Sequence, residues 1–414
     1  MRPTKFHPIT QTKKPVTTKM LLVTKYDDFI QASLQAGQED LPPCDRRYNS
    51  SSHTADQAPN ALFPVTEAPY TFKRWLPLIL RTRNLPPSAL QTITFTHAQT
   101  RFLLKASEAS IPVGRINLSY EDDLSDEGIL PLLKDKIIFP PEGLFMRLNA
   151  CSAKDGVKDT DRRTAALHSV KSLLLRLLTS TRAKNAIEEC VKNAEPLELF
   201  LLPYDRYFHP KNEYRVFCRP GDLKITAISQ YRWHQPWRLA DWPKVIQTPQ
   251  VQGVLKGARD LRRQIMATLN DESGPWTGTK EKQMFVKQGF TFDLLYTAKR
   301  DKQDGKVGFA CELVELNVFG ARSNCGACLF NWVRDWKILY GEEGSRSEFR
   351  VSVPKSGKNT GPDAYPSEEE IKRQGEERKK AWQDGTCWKW RKNNPQQEVE
   401  ESRVLRDAEK EERL

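Results

Sequence analysis

The chain has 414 residues, of which 38% are hydrophobic, so it can bury one large core or two modest ones and still carry tails. Its formal net charge of +12, from 65 basic and 53 acidic residues, suggests an anionic partner such as nucleotide phosphate, but the interspersed signs favour a mildly basic surface over a dedicated nucleic-acid-binding one. Eight widely scattered cysteines argue against a disulfide framework, and no apolar run is long enough to cross a bilayer, so we expect a cytoplasmic protein.

Residues 1–62 are rich in Thr, Ser, Asn, Pro and Lys and show little apolar periodicity. This composition is typical of segments that bury too little apolar surface to fold. One stretch within it, residues 20–36, is compatible with a short helix. We predict a disordered N-terminal arm over residues 1–62, followed by a globular domain over residues 63–340.

Strand-like and helix-like patterns alternate from residue 143 onward. Residues 144–149 and 197–202 are short apolar runs typical of strands. Between them, apolar residues recur at helical spacing, which predicts one long helix over residues 162–193.

Two alternating segments, residues 214–218 and 223–229, flank the sequence Arg-Pro-Gly-Asp at residues 219–222. Pro-Gly-Asp favours a tight turn, so these segments are predicted to pair as an antiparallel hairpin. A second helix is expected over residues 254–269. This succession predicts the α+β class, with an antiparallel-rich sheet and helices packed on it.

Two oxygen-bearing residues, Glu315 and Asn317, lie two positions apart at the end of an apolar strand. Side chains at that spacing project the same way, and Mg²⁺ takes one or two protein carboxylates together with water and phosphate oxygens. Asp293, the one charge within the strand-like residues 290–296, is the expected third ligand. Because so short a pattern recurs by chance, a purely structural role at the rim of a sheet stays open.

Residues 341–414 are dense in charge and contain too few apolar residues for a core. We predict an extended, charged C-terminal tail that is partly helical. Trp382, Trp388 and Trp390 are interleaved with basic residues there, a pattern that can stack on RNA bases. Docking of this segment onto the domain, or disorder, is favoured over RNA binding.

Five short motifs occur in order between about residues 63 and 340. They read RLNACSAKDG at residues 147–156, EYRVF at 213–217, ISQ at 228–230, FD at 292–293 and ELNVF at 315–319. Together they resemble the cell division cycle protein 123 family. No motif is specific alone; their order and their gaps carry the resemblance.

The resemblance implies an ATP-grasp-like fold, in which two α+β subdomains hold ATP and Mg²⁺ in a cleft between them. It also implies a chaperone, linked to the cell cycle, that binds the gamma subunit of eukaryotic translation initiation factor 2 and promotes assembly of its heterotrimer. Two alternatives stay open: an ATP-grasp enzyme that joins a carboxylate to an amine, and a nucleotide-free scaffold that binds RNA or protein.

The resemblance also assigns roles to individual residues. Arg147 takes the position of a phosphate-contacting lysine, residues 199–202 that of the hinge that receives adenine, and Arg215 faces the phosphates. The implied cofactor-binding set is Arg147, Leu199, Phe200, Leu201, Leu202, Arg215, Asp293 and Asn317, and the implied metal set is Asp293, Glu315 and Asn317.

Five positions depart from the family pattern, among them Ala153 in place of a proline and Glu315 in place of an aspartate. Arg147 keeps the charge of the lysine but presents a planar fork. Ala150 stands where the family has an aromatic residue, and Tyr231 where it has a basic one, with Arg232 one place late. Since a shift of one residue on a strand points a side chain to the opposite face, these departures indicate a divergent member of the family.

Overall fold

Two β-sheets of unequal size organise the chain. The computed structural model describes residues 22–25, 47–158, 166–300 and 307–353, except 60, 63, 206–207, 209, 241, 243, 273, 275, 277 and 343–346. Within these ranges, no helix is both long and apolar enough to cross a membrane.

The larger sheet has six strands, in the order β1-β9-β6-β5-β7-β8. Strand β9 pairs in parallel with both β1 and β6, whereas the remaining neighbours are antiparallel. The predicted hairpin is its β5–β6 pair, closed by a turn in which Gly221 has a φ of 83°. The strands span β1 Leu22–Lys25, β5 Glu213–Cys218, β6 Ile225–Gln230, β7 Phe290–Arg300, β8 Val307–Val318 and β9 Glu348–Val353.

The smaller sheet has three antiparallel strands, in the order β2-β4-β3. Its central strand contains the predicted strand at residues 197–202, and β3 contains Arg147. The strands span β2 Gln91–Phe95, β3 Leu144–Leu148 and β4 Leu197–Pro203.

Ten α-helices accompany the sheets in the described part of the chain, which confirms the predicted α+β class. The second predicted helix, over residues 254–269, lies inside the longest of them. The helices span α1 Phe72–Thr82, α2 His97–Ser110, α3 Leu118–Glu121, α4 Asp123–Asp126, α5 Ile129–Lys136, α6 Val170–Leu178, α7 Thr181–Lys192, α8 Lys244–Asn270, α9 Lys280–Gln288 and α10 Trp336–Tyr340.

Each sheet has its own core. One face of the larger sheet packs against α1, α8 and α9, and the smaller sheet packs against α2, α6 and α7. Strand β4 serves both cores, because successive side chains of a strand point to opposite faces. Phe200 and Leu202 enter the core of the larger sheet, and Leu199 and Leu201 enter that of the smaller one.

The second face of the larger sheet is covered by a loop at residues 319–332. Phe217 and Ala227 on the sheet pack against Phe319, Phe330 and Trp332 of this loop. The face that carries Arg215 is therefore closed in part by irregular chain, and Leu339 of α10 packs in the same cluster.

The single long helix predicted over residues 162–193 is wrong, since α6 and α7 are separate helices. Polar side chains explain the break. Thr179 donates its hydroxyl to the carbonyl of Leu175, and Ser180 caps α7 by accepting a hydrogen bond from the backbone of Ala183. Such local side-chain bonds compete with helix continuation, and apolar periodicity does not register them.

The folded part of the chain extends beyond the predicted domain limits of 63 and 340. Strand β1 lies within the predicted N-terminal arm and is not a helix, and residues 49–53 pair with the loop at residues 319–332. Strand β9 lies within the predicted tail. The tryptophans proposed for RNA stacking, Trp382, Trp388 and Trp390, lie outside the described residues.

Candidate functional site

Strand register aligns the predicted charged residues in one row across the larger sheet. Arg215 on β5 lies opposite Asp293 on β7, which lies opposite Glu315 on β8. Directly opposed residues project from the same face, and Asn317, opposite Thr291, projects from it as well. The structure thus brings together Arg215 and the three residues predicted to bind metal.

Arg215 and Asp293 form a buried bidentate ion pair. The Arg215 Nε and Nη2 atoms donate to Asp293 Oδ1 and Oδ2, both at 2.8 Å, and Nη1 donates to the carbonyl of Gly326 at 2.6 Å. The two residues are 6% and 0% exposed. Burial raises the pKa of Asp293 and Arg215 opposes it, which leaves a pKa of about 6.

Arg147 brings a second guanidinium to the row from the smaller sheet. Its Nη1 atom lies 2.5 Å from Glu315 Oε2, and its Cζ atom lies 4.7 Å from the centre of the Phe72 ring. Burial acts to raise the pKa of Glu315, but Arg147 and then Lys154 outweigh it and hold that pKa below its ordinary range. This ion pair bridges the two sheets.

The two carboxylates influence each other. Glu315 adds to the burial that raises the pKa of Asp293, while the guanidinium of Arg147 keeps Glu315 ionised. Asp293 is therefore the carboxylate that takes a proton first as the pH falls. Asn317 completes the group, with Nδ2 3.5 Å from Glu315 Oε1.

Lys154 supplies a third cation, which the sequence assignment did not include. It follows β3, and its Nζ atom donates to the hydroxyl of Tyr231 at 2.7 Å. The Tyr231 ring also lies 5.0 Å from Lys154 Nζ and 5.1 Å from the Cζ atom of Arg215. A cation from the loop after β3 thus stands beside the position where the motif pattern has a basic residue.

Glu213 is a further buried carboxylate that the assignment missed. It lies two residues before Arg215 on β5 and so projects from the same face, which is the signal that could have found it. Burial first, and then Asp293, raise its pKa to about 8. Its protonation state therefore changes near neutral pH.

The predicted adenine hinge at residues 199–202 meets a physical obstacle. β4 is the central strand of its sheet, so residues 199–201 pair with β2 on one side and β3 on the other. Their side chains are buried in the two cores, which leaves neither backbone edge nor ring-sandwiching side chains for a base. Strand β2 pairs with β4 only as far as Leu201. From Leu202 onward, that side of β4 no longer pairs with β2.

The donor set fits Mg²⁺ held together with phosphate. Two carboxylates and an amide oxygen are hard ligands in the number that Mg²⁺ takes from protein when phosphate supplies others. Within the described residues, no group of three His, Cys, Asp or Glu side chains is arranged to hold a metal by itself. The Nε atom of Arg147 is buried and makes no hydrogen bond in the structure, so this guanidinium has a donor to spare.

Comparison with known proteins gives a structural likeness only. No protein-family model matches the chain, and the curated protein sequences give no match. Similar solved structures include Cdc123 from Schizosaccharomyces pombe, at 17% identity, and C-terminally truncated Cdc123 from the same organism, at 16%. Each has a TM-score of 0.45 and covers 71% of this chain and 100% of the other. The family of these two structures is the one that the ordered motifs resemble.

Proposed function

We propose that the region where the two sheets meet, around Arg147, Arg215 and Asp293, binds ATP with Mg²⁺. The observation that carries the proposal is the pair of adjoining buried ion pairs, Arg215–Asp293 and Arg147–Glu315, one of which spans the sheets. Lys154 stands beside them. Two neighbouring carboxylates thus lie between guanidinium groups along one row of a partly closed face.

Stability alone is a weak reason to keep such a row. Removing a charged group from water costs several kcal/mol, and well-packed apolar residues often replace a buried ion pair without loss. A magnesium polyphosphate carries both signs of charge. Its phosphate oxygens can bind the guanidinium groups and its metal can bind the carboxylates, so no charged side chain is left without a partner.

The proposed roles follow from this replacement of ion pairs within the protein by contacts to metal and phosphate. Asp293, Glu315 and Asn317 hold the metal, whereas Arg147, Arg215 and Lys154 contact the phosphates. The base lies at the C-terminal end of β4, from Leu202 onward, and not against residues 199–201. When bound, Mg²⁺ would offset the charge of the phosphate oxygens.

Isothermal titration tests the proposal directly. We expect wild-type protein to bind ATP in the presence of Mg²⁺ and to bind it at least tenfold more weakly with EDTA. Asp293→Asn should remove the magnesium-dependent part. Asp222→Asn is the matched control, because Asp222 makes the same bidentate contact to Arg219, at 2.8 and 2.7 Å, on the exposed hairpin turn. Absence of nucleotide binding by the folded wild type would refute the proposal.

We further propose that the protein is a cytoplasmic assembly factor that binds the gamma subunit of eukaryotic translation initiation factor 2. This part rests on the ordered motifs, from residues 147–156 to residues 315–319, and not on the site geometry. Co-precipitation with the purified gamma subunit tests it, and failure to bind would remove this partner while leaving the nucleotide site. Stoichiometric ADP release with an added carboxylate and amine would identify a ligase instead.

A further inference from the structure

We infer that residues 49–53, here called the strap, position the Arg215 guanidinium by holding residues 325–330 of the loop at residues 319–332. The inference rests on the proposed function, since it treats Arg215 as a phosphate contact. It assigns a part in the site to a segment that composition places in a disordered arm.

The strap is tied to the loop by backbone and side-chain hydrogen bonds. The Asn49 amide donates to the carbonyl of Cys328 at 2.7 Å, and the Asn49 side-chain carbonyl accepts from the Cys328 amide at 3.1 Å. Ser50 accepts from the Ala327 amide with its carbonyl, at 3.2 Å, and from the Trp332 amide with its hydroxyl, at 2.7 Å. Further along, the amides of Ser52 and His53 donate to the carbonyls of Ser323 and Ala321.

The loop in turn reaches Arg215. Its Gly326 carbonyl accepts a hydrogen bond from Nη1, the one Arg215 side-chain nitrogen that does not bond Asp293. Beyond Gly326, Leu329 ties the loop to the sheet, with its amide donating to the Ser229 hydroxyl and its carbonyl accepting from Arg350. Gly326 therefore lies between this sheet anchor and the strap, and its neighbour Cys325 is held as well, by the Trp332 indole and by Thr291 of β7.

The Asn49 side chain of the strap lies close against Gly326 of the loop. A Cβ atom on Gly326 would overlap the end of the Asn49 side chain, so alanine there would push that side chain out of its place. Asn49 and Cys328 have φ values of 54° and 55°, a left-handed conformation that asparagine tolerates better than most residues. Sequence choices on both sides thus keep Asn49 against the loop.

Three nitrogens fix the guanidinium plane, and the strap acts on one of them. Asp293 restrains the Nε–Nη2 edge, and Gly326 restrains Nη1. Without the Gly326 contact, the Arg215 guanidinium can rotate about its hydrogen-bonded side toward Asp293. A rotated guanidinium would bond phosphate oxygens in poorer geometry. Asn49 is accordingly a positioning residue and does not itself contact the ligand.

The test uses the full chain with Asn49→Ala and, from the loop side, Gly326→Ala. Asn49→Asp keeps the side-chain acceptor and should behave as wild type. Ser52→Ala is the matched control, because its hydroxyl bonds the exposed Asn324 and not residues 325–330.

Three readouts separate the steps. Amide hydrogen exchange at Cys328 should accelerate at least tenfold in Asn49→Ala, and NMR of the arginine side chains should show faster guanidinium rotation at Arg215. Affinity for Mg·ATP should fall roughly threefold to tenfold, the range for loss of one or two hydrogen bonds. Gly326→Ala should reproduce all three changes.

Particular outcomes would overturn the inference. Unchanged exchange at Cys328 would mean that the strap does not hold the loop. Faster exchange with unaltered Arg215 rotation would mean that the loop does not position the guanidinium. If wild-type protein binds no nucleotide, the proposed function fails by itself, and Arg215 rotation still decides the role of the strap. If Asn49→Ala does not fold, Gly326→Ala decides between these outcomes, with Asn49→Asp as the folded reference.

Discussion

Replacing Arg147 by methionine should destabilise the protein by about 3 kcal/mol at pH 7. Arg147→Met keeps the length of the side chain and its contact with Phe72 but leaves Glu315 without its guanidinium. The paired side chains are 9% and 13% exposed, so solvent screens the lost charge little. At an effective dielectric constant of about 20, unit charges about 4 Å apart attract by about 4 kcal/mol. Lys154 remains near, which reduces the net loss toward the lower end of the roughly 3–5 kcal/mol typical of such deletions.

The loss should depend on pH with a definite sign. In the folded wild type the pKa of Glu315 lies below its ordinary value of 4.5, so the pairing stabilises above that pH and is lost as the pH falls through the folded pKa. In Arg147→Met, burial without the guanidinium raises the Glu315 pKa, so the carboxyl can protonate and relieve its own cost in mild acid. The difference in unfolding free energy should be smaller at pH 5 than at pH 7.

Urea unfolding at the two pH values measures this difference. Arg263→Met is the control, because its ion pair with Asp260 is exposed and should contribute at most about 1 kcal/mol. A loss below about 1 kcal/mol at pH 7, or an equal loss at both pH values, would refute the assignment of Arg147 as the main partner of Glu315.

Three other substitutions probe the same region. Glu213→Gln removes a carboxyl whose pKa is raised to about 8. As the pH rises from 5 to 8, the unfolding free energy of this variant relative to wild type should therefore increase by about 1 kcal/mol or more, measured by urea unfolding. A difference that stays flat with pH would contradict the raised pKa. Tyr231→Leu removes the ring that contacts two cations and should lower the unfolding free energy by about 1–2 kcal/mol, whereas Tyr231→Phe should lose less than half of that. Leu199→Ala opens a cavity in a fully buried site and should cost about 2–5 kcal/mol, yet nucleotide affinity in titrations of the folded variant should be unaltered; a large loss of affinity would restore the hinge assignment.

Sequence pattern anticipated the elements that carry the strongest local signals. The hairpin of β5 and β6 follows from its turn chemistry, and Asp293, Glu315 and Asn317 follow from polar side chains placed in largely apolar strands. Neighbouring strands then bring these residues together, because register converts spacing along the chain into proximity across the sheet. Local chemistry was sufficient for these parts.

The remaining features depend on contacts that spacing does not encode. Whether residues 199–202 are open to a base depends on which strands flank β4, and its pairing with both β2 and β3 is a tertiary outcome. The Lys154–Tyr231 contact joins residues 77 positions apart and lies in two loops. Composition placed residues 49–53 in an arm, since partners that lie more than 270 residues away leave no mark on local composition.

The distance along the chain between Asn49 and Cys328 also bears on how the protein is made. These residues are 279 positions apart, so on a ribosome that adds about 5–20 residues per second Asn49 waits roughly 14–56 s for its partner. During that interval the early segment has no loop to pair with, and closing so long a separation is entropically costly. Completion of the Arg215 environment is therefore expected to be a late folding event that occurs only after most of the chain has been synthesised.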